Sequence, residues 1–310
     1  MKPRLLVLAG PTAVGKTALS LAVAEALNGE ILGADSMQVY RGMDIGTAKA
    51  TAAERARVPH HMIDVADPAE PFSVASYMAL ARPCLKDIIQ RGRLPIVVGG
   101  TGFYIQALIR DLDYAESEGP SPGRESLWEE ARQGDPAQLW HRLKAVDPLA
   151  AQRIHPNNIK RVIRALEYYE ETGQPISALN AVQEQQESPY DLCYLVLTRP
   201  REQLYKRVEI RAEAMMDQGL EEEVRRLLDR GVPLESTALQ AIGYKEIVQY
   251  IRGAISREEA LGQIKLASRH YVKRQLTWFK REKEARWVDL SVFSSEKEAR
   301  DAILDLTGGR

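Results

Sequence analysis

Short runs of consecutive apolar residues alternate with longer amphipathic stretches in the first third of the chain. The apolar runs cover residues 4–9, 30–34 and 94–98, with a weaker one at 60–65, and the amphipathic stretches cover 16–28 and 73–91. A strand that is apolar at every position is buried on both faces, as in a parallel sheet. Strands that alternate with helices predict a doubly wound α/β fold, with a parallel sheet flanked by helices.

This alternation stops near Asp113 and resumes only at residues 192–198. A polar, turn-rich segment at 115–123 is followed by helical patterns without an intervening strand, at 125–132, 136–145, 147–153 and 156–172. Further amphipathic helices are predicted at 201–217, 219–230, 240–252, 256–262 and 263–283. We therefore expect a core of residues 1–113 and 189–310, with an all-helical subdomain inserted at 114–188.

Composition narrows the class of protein. Apolar residues make up 45% of the 310 residues, which suits a packed core rather than a disordered chain. Cys84 and Cys193 are too few for a disulfide framework and lack metal-ligand spacing. No apolar run approaches the ~18 residues of a membrane span. We expect a cytoplasmic protein with no membrane association and no obligate protein partner.

The formal net charge of −1 hides two basic segments. Residues 152–166 contain Arg153, Lys160, Arg161 and Arg164 and no acid. Residues 265–286 contain eight Lys or Arg against two Glu. Local patches attract phosphates more than net charge does, so RNA remains a candidate partner.

A phosphate-binding motif, GPTAVGKT, lies between the first predicted strand and the first predicted helix. It matches the P-loop pattern G-x-x-x-x-G-K-S/T. Its glycines let backbone N–H groups surround phosphate oxygens at a helix N-terminus. Lys16 would neutralise the phosphates, and the Thr17 hydroxyl would bind Mg²⁺. We therefore assign diphosphate or nucleotide binding to residues Gly10, Pro11, Thr12, Ala13, Val14, Gly15, Lys16 and Thr17.

The P-loop by itself does not name a reaction. A GTPase switch is disfavoured, because N-K-x-D is absent and the single D-x-x-G lies at the C-terminus. The strand at 94–98 ends without the usual magnesium-binding Asp, for which Asp64 is a possible substitute. Asp35 follows the second strand at the substrate-binding edge of the sheet. It could be a general base, a partner of a magnesium-bound water, or a cap for the next turn, and Ser36 is also a candidate cap.

The chain resembles the tRNA dimethylallyltransferase (tRNA isopentenyltransferase) family of bacterial type. Besides the P-loop, the resemblance rests on segments that follow in family order along nearly the whole chain: ADSMQVYRGMDIGTAK (34–49), HHMIDV (60–65), VVGGTGFY (97–104), NNIKRVIRALE (157–167) and AIGYKE (241–246). It implies transfer of a dimethylallyl group from dimethylallyl diphosphate to N6 of an adenosine. That adenosine lies just 3′ of the anticodon in tRNAs that read codons beginning with U.

The resemblance also implies roles for single residues. Asp35 matches the family's general base, Thr101 a position that contacts the reacting nucleotide, and Arg211 an arginine that helps to bind the diphosphate. Without the family, an alternative for Thr101 is a helix N-cap, and Arg211 is more simply explained as part of a solvated basic face paired with Glu. The role of Asp35 as the base also has a chemical reason. The adenine amine becomes acidic as its new bond forms, and a carboxylate at the sheet edge could take its proton.

The resemblance implies that the inserted helical domain grips the anticodon stem-loop. The positions that contact tRNA in the family fall on several separate segments of this chain. The matching residues are Asp35, Ser36, Met37, Gln38, Thr101, Gly123, Ile159, Lys160, Arg161, Val162, Ile163, Gln240, Ala241, Ile242, Gly243, Tyr244, Lys245, Lys273, Arg274, Gln275, Leu276, Thr277, Trp278, Phe279 and Lys280. Independently, Lys265, Arg269, Lys273 and Lys280 share one face of a helix, a basic stripe suited to phosphates.

Two other functions remain open from the residues alone. A small-molecule or nucleotide kinase would use the same P-loop to hold ATP. A nucleotide-gated RNA-binding protein would combine the P-loop with the basic segments and perform no chemistry.

Overall fold

Among the residues that the structure describes, the strands form one six-stranded parallel sheet. The computed structural model describes residues 2–113 and 122–308. The sheet has the order β3-β2-β4-β1-β5-β6, and every neighbouring pair is parallel. Its strands are β1 (Arg4–Ala9), β2 (Gly29–Ala34), β3 (His60–His61), β4 (Leu94–Gly99), β5 (Asp191–Thr198) and β6 (Arg286–Asp289). The predicted parallel α/β fold is confirmed.

Helices connect these strands and complete the chain. They are α1 (Lys16–Ala26), α2 (Ala52–Arg57), α3 (Val74–Gln90), α4 (Gly102–Ile109), α5 (Pro122–Gln133), α6 (Pro136–Val146), α7 (Pro148–Arg153), α8 (Ile159–Thr172), α9 (Ile176–Gln185), α10 (Arg201–Asp217), α11 (Leu220–Asp229), α12 (Tyr244–Ile251), α13 (Arg257–Phe279) and α14 (Glu296–Leu306). Within the described ranges, no helix combines the length and apolar character that crossing a bilayer requires.

The chain divides into two compact units. Residues 1–113 and 188–310 form the first, and residues 114–187 form the second. In the first unit, β1 lies in the middle of the sheet, where Leu6 faces Ile96 of β4 and Cys193 of β5. The second unit has a core of its own, built around Leu127, Leu139, Leu143 and neighbouring side chains of α8. Each unit therefore has its own hydrophobic core.

The predicted strand at 60–65 is much shorter than its apolar pattern suggests. It ends at His61, because Met62 and Asp64 take φ angles of +62° and +58°. Such left-handed conformations are incompatible with an extended strand. The turn directs Asp64 toward Lys49 and Arg55, at 2.6 and 2.9 Å, instead of toward the P-loop. Asp64 is therefore not the substitute magnesium ligand.

The two helices predicted at 256–262 and 263–283 are one helix, α13. The break was placed at Gly262, but glycine keeps its N–H and carbonyl and only weakens a helix by about 1 kcal/mol. Helices α2, α9 and α14 and strand β6 were not predicted. They are short, or carry many charges among few apolar residues, so their periodicity is weak.

Candidate active site

Three loops meet where strands β1, β2 and β4 end. The P-loop follows β1, Asp35 follows β2, and Thr101 follows β4. These strands are neighbours in the sheet, with β4 between β1 and β2. The carboxyl edge of a parallel sheet is where ligands bind in this class of fold. Residues that are far apart in sequence are thus brought together by strand order.

The P-loop has a backbone that depends on its glycines. Gly10 has a φ of +152°, and a Cβ there would approach the carbonyl oxygen of Leu197 to 2.5 Å. Gly15 has a φ of +115° at the start of α1. The loop curls around Lys16, whose Nζ donates to the carbonyls of Gly10 and Pro11 at 2.9 and 2.8 Å. The ammonium group therefore lies at the centre of the loop.

Burial lowers the pKa of Lys16 to about 8. The nearby Asp35 carboxylate works against this shift, and the Arg211 guanidinium adds to it. An anion bound in the loop would favour the charged lysine, because opposite charge stabilises the protonated form. The site is therefore arranged to gain stability when a phosphate arrives.

Three arginines surround the same loop. Arg211 Nη1 donates to Thr12 Oγ1 at 3.1 Å, Arg207 Nε to the Ala13 carbonyl at 2.6 Å, and Arg199 Nε to the Val14 carbonyl at 3.0 Å. Burial lowers the pKa of Arg211, with Asp35 opposing the shift. The alternative that Arg211 belongs to a solvated face paired with Glu is therefore wrong. Arg199 and Arg207 are additional cations that sequence reasoning did not assign to the site.

Asp35 caps its own turn and also faces the site. Its Oδ1 accepts from the backbone N–H groups of Met37 and Gln38, at 2.9 and 3.3 Å. Asp35 can therefore cap the turn and also act in the site, because only Oδ1 is used by the turn. The side chain lines both cavities described below.

Thr101 ties the end of β4 to the segment after β2. Its Oγ1 accepts from Ser36 N–H at 3.0 Å and donates to Ser36 Oγ at 3.3 Å, while its own N–H donates to the Ala34 carbonyl. It stands at the N-cap position of α4, but its side chain makes no capping hydrogen bond. The N-cap alternative is therefore wrong for the Thr101 hydroxyl. Ser36 Oγ accepts from Thr101 Oγ1, whereas Asp35 is the residue that caps the following turn.

Two adjoining cavities open at this edge of the sheet, with volumes of about 270 and 420 Å³. Thr12, Asp35, Thr47 and Arg211 line both of them. The larger cavity also contains Lys16 and Thr17 and is the phosphate side. The smaller has a more apolar wall, formed by Val208, Ala212, Met215, Ile242 and Ile264. The arrangement can hold a charged group and an apolar group next to each other.

One face of α13 contributes to both cavities. Ile264, Ser268 and Tyr271 line the smaller cavity, and Gln275 lines the larger. Burial and the Asp35 charge raise the pKa of Tyr271, so its hydroxyl stays protonated. Sequence reasoning missed Ser268 and Tyr271, although the spacing of 4, 3 and 4 residues along this face was a usable signal.

The predicted tRNA-contacting residues fall into two groups. Met37, Gln240, Ile242 and their neighbours lie on the walls of the smaller cavity. The other positions lie on α5, α8, α12 and α13 or next to them, and they are exposed or half-buried: Gly123, Ile159, Lys160, Arg161, Lys245, Lys273, Arg274, Leu276, Thr277, Trp278 and Lys280. These positions are accessible to a large ligand.

Five of the predicted contact residues have buried side chains: Val162, Ile163, Tyr244, Gln275 and Phe279. The side chains of Val162, Ile163 and Phe279 do not reach the surface and can only position their neighbours, whereas Tyr244 lines the smaller cavity and Gln275 the larger. Gln275 has another task, since its Oε1 accepts from Thr12 N–H at 2.9 Å and its Nε2 donates to the Gly100 carbonyl at 3.0 Å. It fastens the P-loop to the turn after β4.

The predicted basic stripe on α13 is only partly available. Lys265 Nζ lies 2.5 Å from Glu213 Oε1, and Arg269 forms an ion pair with Glu209, both acids belonging to α10. Lys273 and Lys280 are exposed. The first two of the four cations are thus paired with α10, and the role of the stripe in binding phosphates stays a prediction.

Comparison with known proteins extends this picture. Residues 38–282 match the family described as IPP transferase. The chain is 48% identical to the tRNA dimethylallyltransferase of Alkaliphilus oremlandii, with 98% of this chain and 97% of the relative covered. It is 47% identical to that of Lachnoclostridium phytofermentans, with 96% and 94% covered.

Solved structures agree with the sequence relatives. The crystal structure of a tRNA delta(2)-isopentenylpyrophosphate transferase from Staphylococcus epidermidis is 42% identical, with a TM-score of 0.73 and full coverage of both chains. A eukaryotic dimethylallyltransferase acting on tRNA is 28% identical with a TM-score of 0.85, covering 99% of this chain and 80% of that one. The resemblance read from the motifs is confirmed, and the chain belongs to the family of IPP transferases, or tRNA dimethylallyltransferases.

Proposed function

We propose that this protein transfers a dimethylallyl group from dimethylallyl diphosphate to N6 of the adenosine 3′-adjacent to the anticodon. The tRNAs are those that read codons beginning with U, and pyrophosphate is released. The observation that carries the proposal is the pair of adjoining cavities, one beside Lys16 and one apolar, with Asp35 lining both. The family relationship supports the same activity. Neither the kinase nor the RNA-binding alternative gains support from a specific feature of the site.

The cations on the phosphate side of the site suit the leaving group of the reaction. As the bond between the allylic carbon and oxygen breaks, negative charge accumulates on the departing pyrophosphate. Preorganised cations stabilise this charge more in the transition state than in the ground state. Lys16, Arg207 and Arg211 converge on the P-loop from two elements and supply such cations. The prenyl group is uncharged and is not stabilised by these cations. The diphosphate therefore binds on this side and the prenyl group points away from it.

The apolar cavity fits the five-carbon group. Val208, Ala212, Met215, Ile242 and Ile264 give it an aliphatic wall, while Asp35, Arg211 and Arg274 also line the cavity. The allylic carbon becomes electron-poor in the transition state, and water there would compete with the adenine amine. An apolar wall excludes water and leaves the amine as the nucleophile.

Asp35 is the proton acceptor of the proposal. The amine loses a proton as its new bond to carbon forms, and a carboxylate within hydrogen-bond reach can accept it. Asp35 Oδ1 is held by two backbone N–H groups, which leaves Oδ2 for the substrate. Thr101 fixes Ser36, the next residue, and thus orients this turn toward the acceptor.

Mg²⁺ would be held through Thr17 Oγ1 and the substrate phosphates. Thr17 and Asp35 place oxygen donors in the phosphate-side cavity. Among the described residues no cluster of three His, Cys, Asp or Glu forms a metal cage. This donor set suits Mg²⁺, which keeps several waters and takes few protein ligands when it binds with phosphates. Bound there, the ion would supply further charge neutralisation of the leaving group.

The RNA partner of the proposal is the anticodon stem-loop. A base in a single-stranded loop leaves its stack at a cost of only a few kcal/mol, and the reacting amine must enter a recessed cavity. The exposed Lys160, Arg161, Lys273 and Lys280 supply charge for the RNA backbone. A tRNA-modifying activity also implies a cytoplasmic location.

The test is transfer of label. The protein is incubated with labelled dimethylallyl diphosphate, Mg²⁺ and unmodified tRNA, and RNA-bound label is counted after digestion to nucleosides. We expect N6-modified adenosine at one position. Label remaining in the diphosphate, together with hydrolysis of added ATP, would contradict the proposal and favour a kinase. A tRNA in which guanosine replaces the target adenosine is the control substrate.

A further inference from the structure

The loop of residues 44–48 forms a wall shared by the two cavities. Gly46 and Thr47 line the smaller cavity, and Thr47 and Ala48 line the larger. The loop contains no Lys or Arg that would suggest phosphate binding, and no role was predicted for it from the sequence. Its position next to both substrates nevertheless means that its conformation sets the shape of the site.

A buried carboxylate from another element holds this loop. Glu223, on the first turn of α11, is 1% exposed. Its Oε2 accepts from the backbone N–H groups of Asp44 and Ile45, both at 2.8 Å, and its Oε1 from that of Gly46 at 3.1 Å. Three successive N–H groups that converge on one anion form a nest. Here the anion is part of the protein itself.

Tyr244 completes the environment of this carboxylate. Its hydroxyl donates to Glu223 Oε1 at 2.6 Å, and burial together with the Glu223 charge raises its pKa well above the ordinary value. Across the described residues, Glu223 has no ion-pair partner. Four neutral donors therefore stabilise its charge, and a buried charge without them would be costly.

The same ring limits which residue can occupy the loop. A Cβ at Gly46 would lie 2.5 Å from the Tyr244 ring. The loop thus approaches Tyr244 as closely as a glycine backbone can. Lys49, which directly follows the loop, binds back to its first residue. Its Nζ lies 2.7 Å from Asp44 Oδ1 and 2.9 Å from the Tyr40 carbonyl oxygen. These contacts fasten the loop at both ends.

Hydrogen bonds lead from this loop to the proposed base. Gln38 Nε2 donates to the Thr47 carbonyl at 3.1 Å, and Gln38 N–H donates to Asp35 Oδ1 at 3.3 Å. A shift of the loop would move Gln38, and Gln38 shares the turn that orients Asp35. Glu223 lines neither cavity and is connected to Asp35 through loop 44–48 and Gln38.

We propose that Glu223 is a positioning residue for the transfer reaction, which uses its buried charge to hold loop 44–48 and, through Gln38, the orientation of Asp35. This inference rests on the proposed function for its kinetic consequence. Its structural part, the fastening of residues 44–46 by an anion, is independent of that function. The two parts can be tested separately.

The main experiment compares Glu223→Gln with Glu222→Gln, an exposed neighbour on the same turn of α11. Glutamine keeps the size of the side chain but removes the charge and cannot accept four hydrogen bonds equally well. We expect faster amide hydrogen exchange at residues 44–46 in Glu223→Gln only. We also expect its kcat to fall about 10- to 100-fold, the scale of a small misplacement of reacting groups.

Pyrophosphate affinity separates positioning from general damage. Lys16 and Arg211 contact the P-loop without involving loop 44–48, and from this loop only Thr47 and Ala48 line the phosphate-side cavity. Calorimetric pyrophosphate affinity should therefore fall far less than kcat in Glu223→Gln. Equal losses in kcat and in pyrophosphate affinity would overturn the proposal, because they would indicate general destabilisation. Unaltered exchange at 44–46 would overturn it as well.

Tyr244→Phe provides a second variant in case Glu223→Gln fails to fold. It removes one of the four donors and keeps the ring against Gly46. We expect a smaller fall in kcat, about 3- to 10-fold, with exchange increased at the same three amides. Wild-type activity with faster loop exchange would overturn the kinetic part. Absence of transfer by the wild-type protein would instead reject the proposed function and leave the exchange result to decide the structural part.

Discussion

Asp35 divides its two carboxylate oxygens between structure and the proposed chemistry. Oδ1 makes the turn with Met37 and Gln38, and in the described part of the chain Oδ2 accepts no hydrogen bond. A variant that keeps the first interaction can therefore isolate the second. Asparagine does so, because its amide oxygen can still accept from both N–H groups.

We expect Asp35→Asn to lower kcat about 10²- to 10⁴-fold, the usual contribution of a general base. Binding of tRNA should change little, since the turn persists. Single-turnover transfer and filter binding measure the two quantities. Asp35→Ala removes the turn as well and should weaken tRNA binding further. Equal losses of rate and affinity in Asp35→Asn would make Asp35 a binding residue.

Lys16 predicts a pH dependence for anion binding. With a pKa of about 8, its charged form dominates below pH 8 and is lost as the pH rises above it. Pyrophosphate binds the charged form, so affinity should fall as much as tenfold per pH unit above 8. Calorimetry between pH 7 and 9.5 measures this fall.

Lys16→Arg is the matched variant for this dependence, since a guanidinium stays charged throughout the range. The ionisation of pyrophosphate itself affects both proteins equally and cancels in their ratio. We expect the ratio of affinities, wild type to variant, to decrease above pH 8. A constant ratio would show that Lys16 does not titrate in this range.

At the scale of elements, α13 has two different faces. One face supplies Ile264, Ser268, Tyr271 and Gln275 to the cavities and the P-loop. Other positions carry the basic side chains, of which Lys265 binds Glu213 on α10 and Lys273 is exposed. The same helix thus shapes the site and supplies charge for the proposed RNA.

Lys273→Ala should weaken all tRNAs alike and flatten the salt dependence of binding by about one unit of slope. Lys265→Ala is the matched control on the same helix, and we expect a much smaller effect on the slope because its charge is already paired. The measurement is tRNA affinity against salt concentration. Equal slope changes in the two variants would contradict the prediction.

At the scale of the whole molecule, the two hydrophobic cores suggest separable contributions. The P-loop, Asp35 and Thr101 belong to the unit of residues 1–113 and 188–310, and the basic segment at 159–163 belongs to the other. In the second unit, Leu143 is fully buried in the core beneath α8. Damage to that core should therefore affect RNA binding without reaching the phosphate site.

We expect Leu143→Ala to destabilise its unit by about 2–5 kcal/mol, as for other large-to-small core changes. Affinity for tRNA should fall, while calorimetric pyrophosphate binding stays as in the wild type. Leu149→Ala, at an exposed position of the same unit, is the control and should change neither. Loss of pyrophosphate binding in Leu143→Ala would show that the two cores are coupled.

The sequence by itself determined the class of fold and the P-loop, and for a physical reason. A continuous apolar run marks a strand buried on both faces, and G-x-x-x-x-G-K-T encodes its turn within eight residues. Both signals are local. Strand β6 and helix α14 lacked such signals and were not predicted, since their pairing depends on neighbours far along the chain.

Only the tertiary structure decided what each polar residue contacts. Arg211 and Lys265 are both basic residues of amphipathic helices, yet Arg211 is buried against Thr12 and Lys265 binds Glu213. Glu223 lies in a run of three glutamates, of which it alone is buried and holds loop 44–48. Burial and partner choice arise from the packing of elements that are distant in sequence, and no local pattern contains that information.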